Sequence, residues 1–131
     1  MTRPSGMASS NPLVVVVDDD AAVRNSLKFS LEIDGFAVGT CGSAEELVGA
    51  YDLSACRCLL VDQDMPRMTG LEVVATLRKK GIEVPAILIS GNVTRALITL
   101  ASGAGMPVIE KPVVGNGLID LIRAAIDAKR S

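Results

Sequence analysis

The chain has 131 residues, which is enough for one domain with a single buried core. Hydrophobic residues make up 49% of it and charged residues 21%, which excludes the highly charged, weakly apolar composition of disordered chains. The net charge of −2 creates no positive field for nucleic acid or an anionic membrane, and no apolar run approaches the roughly 20 residues of a membrane span. We therefore expect no direct nucleic-acid binding and no membrane association.

The first twelve residues are rich in serine and proline and lack the apolar segment of a secretory signal. We interpret residues 1–12 as a disordered leader or cloning remnant and residues 13–131 as the folded domain, and we expect a cytoplasmic location. The chain contains no histidine, so its three cysteines, Cys41, Cys56 and Cys58, have no histidine with which to form a zinc site. We predict that they are buried thiols.

Short runs of valine, isoleucine and leucine alternate along the chain with longer segments of helical period. The predicted strands are Leu13–Val17, Phe36–Cys41, Cys58–Val61, Ala86–Ile89 and Met106–Ile109. The predicted helices are Ala21–Ile33, Ala44–Tyr51, Leu71–Lys80, Thr94–Ser102 and Gly117–Lys129. This alternation is typical of βα units, and it predicts an α/β fold with a five-stranded parallel sheet and five helices on both faces.

Residues suited to capping mark the ends of two predicted helices. Asp20 can accept hydrogen bonds from the first turn of the first helix, and Gly35 can end that helix. Ser43 and Glu46 have the Ser-x-x-Glu spacing of a capping box for the second helix.

Carboxylates follow two of the predicted strands. Asp18, Asp19 and Asp20 come after the first strand, and Asp62 and Asp64 come after the third. In a parallel sheet these two loops lie side by side at the carboxyl edge, where ligands bind. Two carboxylates about 4 Å apart repel by roughly 4 kcal/mol at an effective dielectric constant of 20, so the cluster requires a cation or a proton.

A set of carboxylate oxygens without histidine favours a hard cation, and Mg²⁺ fits it. The alternative is that the first three aspartates cap a helix while Asp62 and Asp64 belong to a turn before Pro66. Capping explains one aspartate, but it does not explain why two strands deliver carboxylates to one edge. We therefore favour a metal site.

A hydroxyl and an ammonium group follow the fourth and fifth strands, at Ser90 and Lys111. Together with Mg²⁺ they could neutralise the oxygens of a phosphoryl group on Asp62, and Gly91 would leave room for an incoming donor. Singly, Ser90 could be a turn residue and Lys111 a solvated side chain. Their convergence on one edge favours the functional interpretation.

Four motifs lie at the ends of the first, third, fourth and fifth predicted strands: Val17-Asp18-Asp19-Asp20, Leu60-Val61-Asp62-Gln63-Asp64-Met65-Pro66-x-x-x-Gly70, Ile89-Ser90-Gly91 and Glu110-Lys111-Pro112. In order and spacing they resemble the signatures of two-component response-regulator receiver domains, and the resemblance covers nearly all of residues 13–129. The resemblance implies a flavodoxin-like sheet with strand order 2-1-3-4-5. It also implies a phosphoacceptor signalling domain that assists its own phosphorylation and dephosphorylation and is not otherwise an enzyme.

By this resemblance, Asp62 accepts the phosphoryl group from a phosphohistidine of a sensor histidine kinase or phosphotransfer protein. Asp19 and Asp62 would bind Mg²⁺ directly, Asp18 would bind it through water, and Asp64 would bind it through its backbone carbonyl. Lys111 would contact the phosphoryl oxygens.

The resemblance further implies that Ser90 binds the phosphoryl group and that the Lys111-Pro112 peptide is cis. Asn92, with Asp64, is expected to influence the access of water. Phosphorylation would draw Ser90 inward and change a surface around the fourth helix, fifth strand and fifth helix. Where family members carry tyrosine or phenylalanine three residues before the lysine, this chain has Val108. The expected switch of Ser90 therefore lacks its aromatic partner.

The segments Arg24–Leu27 and Gly42–Leu47 are most similar to receivers that precede a helix-turn-helix output domain. The sequence leaves open whether this chain stands alone or is part of such a regulator, and the output partner is unknown.

Two other functions remain open on the sequence. A pseudo-receiver, which binds partners without phosphorylation, is suggested by Val108. A haloacid-dehalogenase-like phosphatase is suggested by Asp62-x-Asp64 followed by Ser90 and Lys111. In such enzymes, however, the metal-binding acidic pair follows the lysine, whereas here the acidic pair comes first.

Overall fold

The computed structural model describes residues 11–113 and 115–130. The strands of this part are β1 (Leu13–Val17), β2 (Ala37–Cys41), β3 (Cys56–Asp62), β4 (Ala86–Ser90) and β5 (Val108–Glu110). Its helices are α1 (Ala21–Ile33), α2 (Ala44–Ala50), α3 (Gly70–Lys79), α4 (Arg95–Gly103) and α5 (Gly117–Arg130). Residues 1–10 of the expected leader lie outside the described residues. The carbonyl of Pro12, also assigned to the leader, accepts a hydrogen bond from the Ala37 N–H.

The five strands form one parallel sheet in the order β2-β1-β3-β4-β5. This is the flavodoxin-like order that was expected. Alternate side chains of the central strands point to opposite faces, and both faces are covered, which explains why these strands are continuous apolar runs.

Each face of the sheet has its own layer of buried side chains. The layer that includes α2, α3 and α4 contains Val15, Leu47, Leu59, Val73, Leu88 and Leu97. The layer that includes α1 and α5 contains Val14, Leu27, Leu31, Leu60, Ile87 and Ile122. The prediction of helices on both faces is confirmed.

Four strands differ from their predicted ranges, and two of these differ by a single residue: β2 begins at Ala37 instead of Phe36, and β4 ends at Ser90 instead of Ile89. β3 begins at Cys56 instead of Cys58, and it continues through the exposed Arg57 that interrupts the apolar run. β5 begins at Val108 instead of Met106. Met106 lies after the last residue of α4, but its N–H donates to the Ala101 carbonyl in the last turn of that helix, so its backbone does not pair with β4. Its side chain is buried.

The helix caps are partly as predicted. The Asp20 side chain caps α1, and Gly35 adopts a left-handed φ of 95° just beyond its end. Ser43 Oγ accepts from the Glu46 N–H, but the Glu46 carboxylate accepts from the Gly42 N–H, so the second half of the predicted capping box is displaced by one residue.

The three cysteines are buried free thiols, as predicted. Burial raises the pKa of Cys41 and Cys58 to about 12 and that of Cys56 to about 11, so the reactive thiolate is suppressed. Within the described ranges, no helix has both the length and the apolarity to cross a bilayer.

Candidate functional site

Three carboxylates meet at the carboxyl edge of the sheet. The parallel register pairs Val17 of β1 with Val61 of β3, so Asp18 and Asp62 leave adjacent strands at the same level. One carboxylate oxygen from each of Asp18, Asp19 and Asp62 lies within 4.8 Å of the other two. Asp18 and Asp62 are buried and Asp19 is exposed, so the cluster opens to solvent on one side.

Asp18 is held in place from three directions. Its N–H donates to the carbonyl of Cys41, and its Oδ1 accepts from the N–H of Asp20 at 2.9 Å. The guanidinium of Arg24 donates to its carbonyl oxygen at 2.6 Å. This supporting role of Arg24 was not predicted, although a basic residue in the helix that begins beside an acidic cluster is a signal that could have indicated it.

The third aspartate of the run, Asp20, has a different role. Its side chain accepts hydrogen bonds from the N–H groups of Ala22 and Val23 at the start of α1. The capping interpretation therefore holds for Asp20, while Asp18 and Asp19 are part of the carboxylate cluster.

The buried position of Asp18 makes its ionisation unfavourable. Burial and the neighbouring charge of Asp62 raise the pKa of Asp18 to about 6, although the Asp20 N–H and Lys111 oppose that rise. Near pH 6 this carboxyl therefore exchanges between its protonated and ionised forms. A bound cation would favour the ionised form.

Lys111 supplies a positive charge next to the cluster. Its Nζ lies 3.1 Å from Oδ1 of Asp62, and its backbone N–H donates to the Ser90 carbonyl. Burial alone would lower the pKa of Lys111, but the hydrogen bond to Asp62 and the charges of Asp62, Asp18 and Asp64 outweigh burial and raise it. Lys111 therefore stays an ammonium group. The Lys111-Pro112 peptide is cis.

Asp64 connects the two loops that flank the site. Its N–H donates to Oδ1 of Asp62 at 3.0 Å. Its carboxylate accepts from the Ser90 hydroxyl at 3.0 Å and from the Gly91 N–H at 2.8 Å. A role was expected for the Asp64 carbonyl, whereas these two contacts of its side chain were not predicted.

Two glycines lie close to Asp62, Asp64 and Lys111. A Cβ on Gly91 would lie 3.6 Å from Asp64 Oδ2 and 4.0 Å from Lys111 Cδ, so a side chain would extend into the space between them. A Cβ on Gly70 would lie 3.0 Å from the carbonyl oxygen of Asp62 and 2.9 Å from Leu88 Cδ2. The glycine eight residues after Asp62 is therefore required by close packing.

Three further residues belong to the predicted site: Asn92, Val108 and Ser90. The Asn92 N–H donates to Ser90 Oγ at 3.1 Å, and the Asn92 residue is exposed. Val108 is half-buried and pairs with Leu88 across β4 and β5. Ser90 is buried at the end of β4.

The donor set suits a hard divalent cation. Three carboxylates contribute oxygen atoms, and Mg²⁺ is bound by a few protein oxygens while it retains several waters. Burial is the main cause of the raised pKa of Asp18 and the charge of Asp62 adds to it, so a bound cation would favour the ionised carboxylate.

A flavodoxin-like fold whose carboxyl edge carries an acidic cluster, a lysine and a serine defines the class of receiver domains. The chain belongs to the response regulator receiver domain family, whose model matches residues 14–123. It is therefore a signalling domain of the two-component type.

Curated relatives support this assignment. Response regulator protein TodT of Pseudomonas putida is 33% identical over 122 residues, which cover 92% of this chain and 53% of TodT. The transcriptional regulatory protein FixJ of Rhizobium meliloti is 36% identical over 114 residues, which cover 86% of this chain and 55% of FixJ. The chain thus spans about half the length of the curated relatives it matches.

Solved structures agree with the fold. The structure titled FIXJ-N is 34% identical, has a TM-score of 0.78, and matches 89% of this chain and 94% of its own. A response regulator receiver domain from Clostridium thermocellum is 26% identical, has a TM-score of 0.83, and matches 91% of this chain and 97% of its own.

Proposed function

We propose that the chain accepts a phosphoryl group on Asp62 in a Mg²⁺-dependent reaction, from a phosphohistidine of a sensor histidine kinase or phosphotransfer protein. The observation that supports this function best is the convergence of three carboxylates within 4.8 Å of one another, with the Lys111 ammonium 3.1 Å from Asp62. An acyl phosphate formed there would be next to the positive charge that its oxygens require.

Four residues would hold the metal. Asp19 and Asp62 would bind Mg²⁺ directly, Asp18 through water, and Asp64 through its backbone carbonyl. When bound, Mg²⁺ would supply positive charge that lowers the repulsion between the carboxylates and the phosphoryl oxygens.

The Asp62 carboxylate is oriented for attack by two contacts to one of its oxygens. Oδ1 accepts from the Asp64 N–H and pairs with the Lys111 ammonium, so we assign Oδ2 as the nucleophile. A bond forms between this oxygen and phosphorus while the phosphorus–nitrogen bond of the phosphohistidine breaks. The electron pair of that bond leaves with the imidazole. Lys111 and the Ser90 hydroxyl then bind the phosphoryl oxygens.

The signal would be a change of surface. Movement of Ser90 toward the phosphoryl group would pull on the loop between β4 and α4, and the surface formed by α4, β5 and α5 would change its affinity for a partner. Because Val108 carries no ring, this change would depend on the loop and on the backbone of β5. We assign residues 13–131 to the receiver, and we propose a cytoplasmic location without direct binding to nucleic acid or membrane.

Incubation of the purified protein with acetyl phosphate and Mg²⁺, followed by intact mass measurement, tests this function. We expect the mass of one phosphoryl group to be added, and we expect Asp62→Asn to prevent it. Asp120→Asn is a matched control because it removes an exposed carboxylate of α5, and it should leave labelling unchanged. A chain that gains no phosphoryl group at any Mg²⁺ concentration would be a pseudo-receiver. Turnover of a phosphate ester that Asp62→Asn abolishes would indicate a phosphatase.

A further inference from the structure

The carboxylate of Asp64 bridges two loops that are far apart in sequence. It follows β3, and it accepts from Ser90 and Gly91 at the end of β4, 26 and 27 residues further along the chain. One of its oxygens takes the hydroxyl and the other takes the amide. The two donors are therefore held by a single anionic group.

This arrangement occupies the hydrogen-bonding capacity of Ser90. A hydroxyl has one proton, and that of Ser90 is donated to Asp64. Ser90 Oγ in turn accepts the Asn92 N–H, which fixes the start of the following loop. In this state Ser90 cannot donate to a phosphoryl group on Asp62 unless its contact with Asp64 is broken.

The charge of the Asp64 carboxylate also acts on Lys111 next to Asp62. The charge of Asp64 is one of those that raise the pKa of Lys111, which is paired with Asp62. A phosphoryl group on Asp62 would add negative charge near Asp64 and would compete with it for the same hydroxyl. Asp64 and the phosphoryl group are thus alternative acceptors for Ser90.

We infer that Asp64 is a positioning residue that holds Ser90 and Gly91 in the unphosphorylated arrangement and opposes phosphorylation by competing for the Ser90 hydroxyl. This inference rests on the proposed phosphorylation of Asp62. It gives the Asp64 side chain a role separate from that of its backbone carbonyl, and the two roles can be separated because a substitution removes the carboxylate and keeps the carbonyl.

The substitution Asp64→Asn tests the inference. It removes the negative charge and an acceptor oxygen with little change in volume. We expect the initial rate of phosphorylation by acetyl phosphate to rise about three- to tenfold, the ratio that corresponds to the net contribution of one typical hydrogen bond. Glu45→Gln is the control, because it removes an exposed carboxylate from the first turn of α2 and should change the rate less than twofold.

A double-mutant cycle separates positioning from a simple charge effect. In the Ser90→Ala background the contact with the hydroxyl is already lost, so Asp64→Asn should raise the rate by less than half of its effect in the wild type. An equal rise in both backgrounds would overturn the positioning role and leave a charge effect alone.

The amide signals of the unphosphorylated protein provide a readout that does not depend on phosphoryl transfer. Loss of the carboxylate in Asp64→Asn should shift the NMR signals of Gly91 and Asn92, while Glu45→Gln should leave them in place. If these signals do not move, the contact is absent and the inference fails, even where the wild type is phosphorylated. If the signals move but the wild type accepts no phosphoryl group, the proposed function fails. The inferred competition between Asp64 and the phosphoryl group then fails as well.

Discussion

The Lys111 ammonium lies 3.1 Å from Oδ1 of Asp62, although Asp62 ends β3 and Lys111 directly follows β5. The pair sits beside two further carboxylates, so Lys111 balances part of the negative charge of a metal-free site. Its pKa is raised by these neighbours, which keeps it charged throughout the neutral range.

Lys111→Ala should lower the initial rate of phosphorylation by acetyl phosphate about a hundredfold, because removal of one preorganised charge from a developing anion has effects of that order. Mg²⁺ affinity, measured by calorimetric titration, should be retained or increased, since the ammonium is no metal ligand and repels the cation. Lys80→Ala removes an exposed lysine at the end of α3 and should change neither quantity.

The same variant tests how the signal reaches the surface. We expect phosphorylated Lys111→Ala to lack the amide NMR response of α4, because the ammonium would join the phosphoryl group to the end of β5. A response of α4 equal to that of the wild type would contradict this role.

Asp18→Asn should stabilise the metal-free protein at pH 7 by about 1 to 3 kcal/mol. The pKa of Asp18 is raised to about 6 in the folded state, mainly by burial, while an unfolded aspartate titrates near 4. Between roughly pH 4 and 6 the folded state retains a proton that the unfolded state has lost. The contribution of Asp18 to stability therefore falls as the pH rises through this window.

Thermal unfolding in a chelator, followed from pH 4 to 8, checks this prediction. The stability gain of Asp18→Asn should be small at pH 4 and largest above pH 6. Saturating Mg²⁺ should reduce or reverse the gain, because the ion stabilises a folded state that contains the ionised carboxylate. A gain of equal size at every pH would mean that the ionisation of Asp18 is not its cause.

The central strands and the meeting of Asp18, Asp19 and Asp62 could be predicted because both depend on local patterns and on the geometry of a parallel sheet. A strand that is covered on both faces needs apolar residues at successive positions, so a run such as Leu13–Val17 indicates a central strand of a parallel sheet. Once such strands are parallel, residues that follow them must lie at one edge. The cluster of carboxylates then follows without knowledge of side-chain conformations.

The start of β5 and the partners of Asp64 could not be predicted, because they depend on contacts between distant segments. Met106 is as apolar as a strand residue, but its N–H belongs to the end of α4. The Asp64 carboxylate reaches Ser90 because the loops after β3 and β4 approach each other, and spacing along the chain contains no information on that distance.

Gly39→Ala should destabilise the protein by about 1 to 3 kcal/mol, as overpacking does at tight sites. A Cβ on this residue of β2 would lie 2.7 Å from the hydroxyl oxygen of Tyr51. That hydroxyl accepts from the Thr40 N–H at 2.9 Å and donates to the Thr40 carbonyl at 3.0 Å, so it covers the open edge of the sheet. Displacement of the ring would lose both contacts.

Urea unfolding of Gly39→Ala and Tyr51→Phe checks this arrangement. Tyr51→Phe keeps the ring and removes both hydrogen bonds, so it should be destabilised by about 1 kcal/mol. Phosphorylation of either variant at a temperature where it is folded should match the wild type, because Gly39 lies against Tyr51, the Tyr51 hydroxyl bonds to Thr40, and none of these contacts involves Asp18, Asp62 or Lys111. If Gly39→Ala is as stable as the wild type, the ring is not constrained by this glycine.

Gly70→Ala should impair both stability and phosphorylation, because the first residue of α3 packs directly against the end of β3. A Cβ there would lie 3.0 Å from the Asp62 carbonyl oxygen and 3.1 Å from Gln63 Cα, and these backbone atoms cannot yield without moving Asp62 itself. We expect a loss of about 1 to 3 kcal/mol in the free energy of unfolding and a slower reaction with acetyl phosphate in the protein that remains folded.

Gly49→Ala is the matched control for this substitution. Gly49 also lies in a helix, but a Cβ on it would meet no atom within 4 Å, so the change should stabilise the protein by about 0.5 to 1 kcal/mol through helix propensity and leave phosphorylation unaltered. Opposite effects of the same chemical change at two helical glycines would show that the requirement for Gly70 arises from its close packing against Asp62, Gln63 and Leu88. Equal stability of both variants would show that the end of β3 can shift to accept a side chain, and the spacing between Asp62 and Gly70 would then need another explanation.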